Sequence, residues 1–428
     1  MFRVLKNFPL KGVTNCRWMT TTTTVMSFGD GSHGALGLPI SVTGINSDAY
    51  EPTPISALPP DVSSIAAGHY HSLAVTSQGH LWSWGRNAES QLGRNLDSPR
   101  ETWIEPKRIE GLSDVKSAFA SGVVSAAIGI DGCIWIWGKS KRGQLGLGIG
   151  ITEAIHPTKI KSLSKEEIIK VSFGWGHALA LTKDGKLFGW GYSADGRLGK
   201  REITGVSPLD SVNNLSKRED AEKVVLEAMS KENDMPIIWE PCLIDELKGV
   251  EVADVSCGLD HTLVLLRDGT LLSGGSNVYG QLGRSTQDLE LQLLPVDISV
   301  HPVSISSGLG HSLAICQIPS AEGGEGISGV FSWGWGQNCQ LGREGPGNIP
   351  LLVDGLLGEK PVSVSGGRVH SIVLTDNGEV FSWGCGRSGR LGLGSSMDEH
   401  EPMVVEFSED TNVLQVVSGF DHNLVLTS

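Results

Sequence analysis

The chain alternates short apolar runs with tight polar turns along most of its length. The segments HALALT-KDG-KLFGWG (177–191) and HSIVLT-DNG-EVFSWG (370–384) show the unit: an apolar run, a turn, a second apolar run. Its turns recur as Gln78-Gly79, Asp131-Gly132, Asp184-Gly185, Asp268-Gly269 and Asn377-Gly378. Asp-Gly and Asn-Gly predict tight hairpins, because such turns need positive φ, which Gly adopts freely. One unit replaces its turn with the longer PSAEGGEGISG. Each unit therefore predicts a small antiparallel sheet.

Three signatures frame the unit. The first is Gly-x-x-His, at Gly68–His71, Gly174–His177, Gly258–His261, Gly308–His311, Gly367–His370 and Gly419–His422. Gly122–Ser125 fills a seventh slot, and successive glycines lie 54, 52, 84, 50, 59 and 52 residues apart. The second is an aromatic-Gly pair: Phe28-Gly29, Trp84-Gly85, Trp137-Gly138, Trp190-Gly191, Trp333-Gly334 and Trp383-Gly384, with Gly274-Gly275 in the seventh place. The third is Leu-Gly, eight residues after the second signature in all seven units, from Gly29 to Gly37 through Gly384 to Gly392. Chance does not hold such a spacing seven times.

One such sheet cannot bury both its faces, but seven stacked radially can, leaving only short edges. The start of the repeat region, MSFGDGSHGALG, has the second and third signatures without the first. The last segment, SGFDHNLVLTS, has the first without the others. Residues from about Val25 should therefore pair with the strand ending near Ser428, which removes the open edges of the ring. The predicted fold is an all-β, seven-bladed β-propeller over 25–428, closed by N- and C-terminal half-blades, with one helical insertion.

A chain of 428 residues would otherwise suggest about two or three domains; the repeat overrides that expectation. Glycine, at 56 residues, far exceeds its usual share of roughly 7%, as many tight turns require. Net charge is −14, which argues against non-specific binding to nucleic acid or anionic membrane and leaves room only for local basic patches. No apolar run is long enough to span a bilayer. The seven cysteines form no C-x-x-C pair; free thiols in a reducing compartment are expected, and no zinc site.

Two segments depart from the repeat. Residues 1–24 carry Arg3, Lys6, Lys11 and Arg17, and no acidic residue precedes Asp30. That basic, Thr-rich start predicts a transit peptide, mitochondrial ahead of plastid; a disordered tail in a cytosolic or nuclear protein is the alternative. The 84-residue interval holds an insertion at 200–238. Ser216 and Glu219 form a capping box, and Ala221, Val224, Val225, Ala228 and Met229 mark one apolar face of a helix over 217–231. Val225 and Met229 are candidate partner contacts, since long loops on rigid scaffolds concentrate function; a solvated surface helix is the alternative.

Candidate chemistry is sparse. The six signature histidines, His71, His177, His261, His311, His370 and His422, sit at one address in separate blades. They are expected to hold their own blade's backbone rather than a metal. Trp84, Trp137, Trp190, Trp333 and Trp383 are expected in the core. No phosphate loop or Ser/His/Asp arrangement is present. No catalytic side chain, metal or cofactor is expected.

These signatures resemble the regulator of chromosome condensation repeat family. The resemblance spans about 25–428. It implies a seven-bladed propeller with loops on two faces, and a protein that binds rather than catalyses. The family includes exchange factors for small GTPases, plant ultraviolet-B photoreceptors, and organellar proteins supporting mitochondrial RNA processing or ribosome assembly. The photoreceptors carry Gly-Trp-Arg-His-Thr. The Trp slots here hold His69, Val123, Trp175, Leu259, Leu309, Arg368 and Phe420, and the Arg slots hold Tyr70, Val124, Gly176, Asp260, Gly310, Val369 and Asp421. One Trp and no Arg match, so photoreception is not expected. The resemblance leaves a monomeric scaffold for a protein or ribonucleoprotein partner, in mitochondria, with guanine-nucleotide exchange on a small GTPase as the alternative. Direct DNA binding is not expected, because the one basic tail reads as an import signal.

Overall fold

The computed structural model describes residues 22–39, 47–94, 103–200, 236–285, 291–319 and 326–428. They form seven four-stranded antiparallel sheets, arranged so that one edge strand of each, the first in blades 1 to 6 and Val413–Ser418 in the seventh, lines a central channel. Blades 1 to 6 cover 62–108, 115–159, 168–243, 252–295, 301–352 and 361–405. Blade 7 is composite, in the order Ala49–Pro54, Thr24–Gly29, His422–Thr427, Val413–Ser418. Thr24–Gly29 pairs with His422–Thr427 residue for residue, from Thr24 opposite Thr427 to Gly29 opposite His422. The two half-blades close the ring as their signatures predicted.

Burial follows strand position. The second strand out from the channel, such as His71–Thr76 or His177–Thr182, is buried at every residue in six blades, and in blade 5 His311–Ile318 is buried as far as Cys316. It has neighbouring blades on both faces, so its sequence reads as a continuous apolar run rather than an alternation. The innermost strands alternate, as in Ile168–Phe173, with one side in the core and the other toward the channel. The outermost strands are largely exposed, as in Glu399–Val405.

Among the described residues the helical elements are single 3-10 turns, such as Lys161–Leu163 and Asp354–Leu356. The predicted helix over 217–231, with Val225 and Met229, lies outside the described residues, as do residues 1–21 of the predicted transit segment.

The structure corrects one slot. Val124, not Ser125, stands at the histidine position of blade 2, because Val124 pairs with Gly138 as His71 pairs with Gly85. The slot therefore begins at Ser121, which pairs with Val124 across the turn. The two variable positions of that loop become Gly122 and Val123.

Candidate functional site at the channel mouth

The signature residues are built into the joints between blades. His71 Nε2 lies 2.7 Å from Ser125 Oγ of blade 2, and that hydroxyl donates to the Gln91 carbonyl at 2.8 Å. A hydroxyl that donates its proton must accept from the imidazole, so Nε2 carries the hydrogen. The relay repeats around the ring: His177 with Thr262, His261 with Ser312, His311 with Ser371, His370 with Asn423, and His422 with Ser72, at 2.9–3.0 Å. The expectation that each His holds its own blade's backbone is thus corrected, since each side chain reaches the next blade. The leading glycine makes room for the ring: a Cβ at Gly68 would lie 2.2 Å from His71 Cε1.

The indole N–H groups use the carbonyls at the same position of the preceding blade. Trp84 donates to Ala35, Trp137 to Gln91, Trp190 to Gln144, Trp333 to Gln281 and Trp383 to Gln340, at 2.7–3.0 Å. All five indoles are fully buried. The Leu-Gly glycine of the preceding blade admits the indole; a Cβ at Gly93 would lie 2.9 Å from Trp137 Nε1.

Where a joint lacks one link, another is present. Blade 4 carries Gly274 and blade 7 Phe28 in place of the Trp. At those two joints Arg197 pairs with Asp260 at 2.7 Å, and Arg390 with Asp421 at 3.3 Å. Between blades 2 and 3, Val124 and Ala178 replace the donor and acceptor of the relay together. There Gln144 Nε2 donates to the Gly174 and His177 carbonyls. Each such bond is worth about 0.5–1.5 kcal/mol net, so a joint is held by several modest links.

This assignment occupies the histidines. Burial holds His71, His261 and His370 down to about 3, and His311 and His422 to about 4, with His177 also well below its ordinary value. The described cysteines are free thiols, and burial pushes Cys257 and Cys316 up to about 12. Among the described residues no group of three or more His, Cys, Asp or Glu could hold a metal ion. No described helix is long and apolar enough to cross a membrane.

The exposed chemistry gathers where the loops after the innermost strands meet over the channel. The channel itself is a cavity of about 440 Å³, lined largely by small residues such as Ser64, Ser117 and Ser256. Over its mouth His69 of blade 1 stacks near Trp175 of blade 3 (centroids 5.8 Å apart) and packs on Phe420 of blade 7 (4.3 Å). Tyr70 joins the cluster beside Phe420 and His33. Arg368 lies over Phe420 and pairs with Asp421 at 2.7 Å. Burial, then the nearby Arg368, lowers His69 to about 4. Burial also raises Asp421, against the pull of Arg390 and Arg368.

A ladder of rings and guanidinium groups extends from this cluster. Arg142 lies over both Trp175 and Tyr192, at 5.7 and 5.6 Å, and Arg197 over Tyr192 at 4.8 Å. Arg142 also donates to the Trp175 carbonyl at 3.0 Å, while the Trp175 N–H bonds Leu259 O at 2.9 Å. Gly176 allows this arrangement, since a Cβ there would lie 2.6 Å from Arg142 Cδ. Trp175 is pinned at both ends of its peptide yet remains 47% exposed. Two open cavities flank it, of about 520 Å³ on the side of blades 1 and 2 and about 480 Å³ on the side of blade 4. Sequence reading named Trp175 only as one matching slot. Arg142, thirty-three positions away, carried no signature, although a Gly after an exposed Trp is a signal of close approach.

Comparison with known proteins follows the same lines. The family model of the RCC1-like domain matches residues 24–425. The ultraviolet-B receptor UVR8 of Arabidopsis thaliana is 30% identical over 393 residues, covering 89% of this chain and 77% of the receptor. The RCC1 domain-containing protein RUG3, mitochondrial, of the same plant is 32% identical over 331 residues, 72% of this chain and 64% of that protein. The mouse E3 ubiquitin-protein ligase HERC2 is 30% identical across 82% of this chain, which spans only 7% of the ligase. Among solved structures, Prp20p from Saccharomyces cerevisiae superposes with a TM-score of 0.73 at 24% identity, over 95% of this chain and 92% of that one. Human WBSCR16 gives 0.74 at 22%, over 95% and 99%.

Proposed function

The chain belongs to the RCC1-like domain family, and on that premise we propose that it is a non-catalytic scaffold that binds a protein or ribonucleoprotein partner through the channel-mouth face. The observation that carries this is Trp175: a large indole, half exposed, pinned by backbone bonds and buttressed by Arg142. Rigid exposed Trp and Arg are the side chains that most often dominate binding energy. The signature histidines, the obvious acid–base groups, are committed to the joints between blades. We place the protein in mitochondria, in RNA processing or ribosome-related work. The basic, acid-free residues 1–24 support that placement, as does the resemblance to RUG3, a mitochondrial protein by its name.

Two experiments test this reading. A fluorescent fusion to residues 1–30 should enter mitochondria; diffuse cytosolic or nuclear fluorescence would reject the placement. Cross-linked complexes recovered from organelles with the native chain should be lost with Trp175→Ala, Arg142→Gln, at an unchanged melting temperature. Retention of the same complexes by the double variant would reject the face. Faster nucleotide release from an added small GTPase would instead favour the exchange-factor reading.

A further inference from the structure

Three kinds of link recur from blade to blade around the channel. The first is a backbone bond between neighbouring mouth loops, as from the His69 N–H to the Gly122 carbonyl or the Phe420 N–H to the Gly68 carbonyl; six joints have one, at 2.9–3.2 Å. The second is the histidine relay, present at the same six joints. The third lies in the channel wall, where Ser172, Ser256, Ser306 and Ser365 each accept an N–H of the next blade's innermost strand, and Gln415 bonds both backbone groups of Ile65. Among the described residues, the joint between blades 1 and 2 lacks the wall link alone, whereas the joint between blades 2 and 3 lacks all three. There Val124 and Ala178 break the relay, and Phe119 stands opposite Ala126 where Ser172 of blade 3 stands opposite Leu179. This joint is pinned elsewhere. The Ile168 N–H bonds the Gly132 carbonyl at the end away from the mouth, and the Gly148 N–H bonds the Trp239 carbonyl at the outer rim, both at 3.2 Å.

We infer that the joint between blades 2 and 3 is a hinge, at which the two blades part beside the channel mouth and stay together at the far edge and outer rim. Its latch is made of side chains of blade 2: Gln144 Nε2 bonds the Gly174 and His177 carbonyls, and Arg142 Nη1 bonds the Trp175 carbonyl. Such bonds are on rotatable arms, so they release one blade without disturbing its fold, whereas a bond between two backbones holds both. Each link is individually modest, so the joints differ in how many must break together. Local opening takes place where the fewest do. The bonds inside each sheet are untouched by this motion. An open cavity of about 520 Å³ already lies over the joint, with Gly122 and Val123 of blade 2 on one wall and Gly174 and Trp175 of blade 3 on the other. Arg142 and Trp175 stand on opposite sides of the hinge, so opening draws the guanidinium off the indole and changes the shape of the channel-mouth face. The inference concerns the ring itself and holds whatever docks there.

Hydrogen exchange of the indole N–H groups, followed by NMR on the unmodified full chain, tests the hinge. Each of the five buried blade indoles bonds a carbonyl across a different joint, and Trp190 crosses this one to reach Gln144. The N–H of Trp190 should exchange about tenfold or more faster than those of Trp84, Trp137, Trp333 and Trp383, a factor equivalent to about 1.4 kcal/mol. Gln144→Ala removes part of the latch but keeps the carbonyl that Trp190 uses. It should speed Trp190 by about a further tenfold and leave the other four indoles unchanged. Exchange of Trp190 no faster than that of the other four in the unmodified chain would overturn the hinge. Equal acceleration of all five indoles by Gln144→Ala would mean that the ring opens as a whole, and would overturn it as well.

Discussion

Acid should dismantle this ring well above the pH at which carboxylates titrate. Each signature histidine is buried, with its Nε2 hydrogen spent on the next blade. Among the described residues the Nδ1 atoms of His71, His177, His261, His311 and His370 have no hydrogen-bond partner. A second proton there would be a buried, unpaired charge. In the unfolded chain each imidazole titrates near 6.5; in the fold His71, His261 and His370 titrate at about 3, and His311 and His422 at about 4. The sign follows. Above pH 6.5 both states are neutral there and the histidines add no pH dependence. Below it the unfolded chain takes up protons that the fold refuses, so stability falls as pH falls, until the folded values are reached. The slope is about 1.4 kcal/mol per pH unit per histidine. At pH 5 that is about 2 kcal/mol each, and about 10 kcal/mol for the five with stated values, against a typical total stability of about 5–15 kcal/mol. Urea melts at pH 7.5, 6 and 5 read it directly. The midpoint should drop between 7.5 and 6 and collapse by 5. A midpoint at pH 5 equal to that at 7.5 would refute the reasoning.

Three further outcomes follow from the joints. Val124→His alone should destabilise by about 1–3 kcal/mol, the cost of overpacking, because Ser121 holds a Cβ where the other blades have Gly. Adding Ser121→Gly and Ala178→Ser should complete the missing relay and recover the loss in a thermal melt; no recovery would argue against the relay. Gly93→Ala should lower stability by about 1–3 kcal/mol, since its φ is +64° and its Cβ would press on Trp137 Nε1; an unchanged melt would contradict that packing. A chain ending at Ser418 should lose the partner of Thr24–Gly29 and aggregate through the bared edge; monomeric elution with an unchanged melt would contradict ring closure.

Local chemistry made the fold legible. The eight-residue spacing and the Asp-Gly turns are dictated within one blade, so the sequence displays them directly. The joints are not local: His71 meets Ser125, fifty-four positions on, and no single unit reveals the partner. The same distance hid the compensation, in which Arg197 and Asp260 stand where a tryptophan is missing. Blade 2 was misread by one residue because Gly122 mimics the leading glycine, while the strand register that decides the matter involves Gly138. The exposed face was the least legible part. Arg142 and Trp175 belong to different blades, and their meeting depends on the space that Gly176 leaves open.

The composite blade sets a clock for folding. The Thr427 hydroxyl donates to the Thr24 carbonyl across 403 positions of sequence. At a synthesis rate of roughly 5–20 residues per second, tens of seconds separate the appearance of the two strands. During that time Thr24–Gly29 lacks its inner neighbour, His422–Thr427, and can pair only with Ala49–Pro54. A hairpin of two strands is marginal in water, so the first strand made must wait for the last, and the nascent ring spends that interval with an edge that a chaperone could cover.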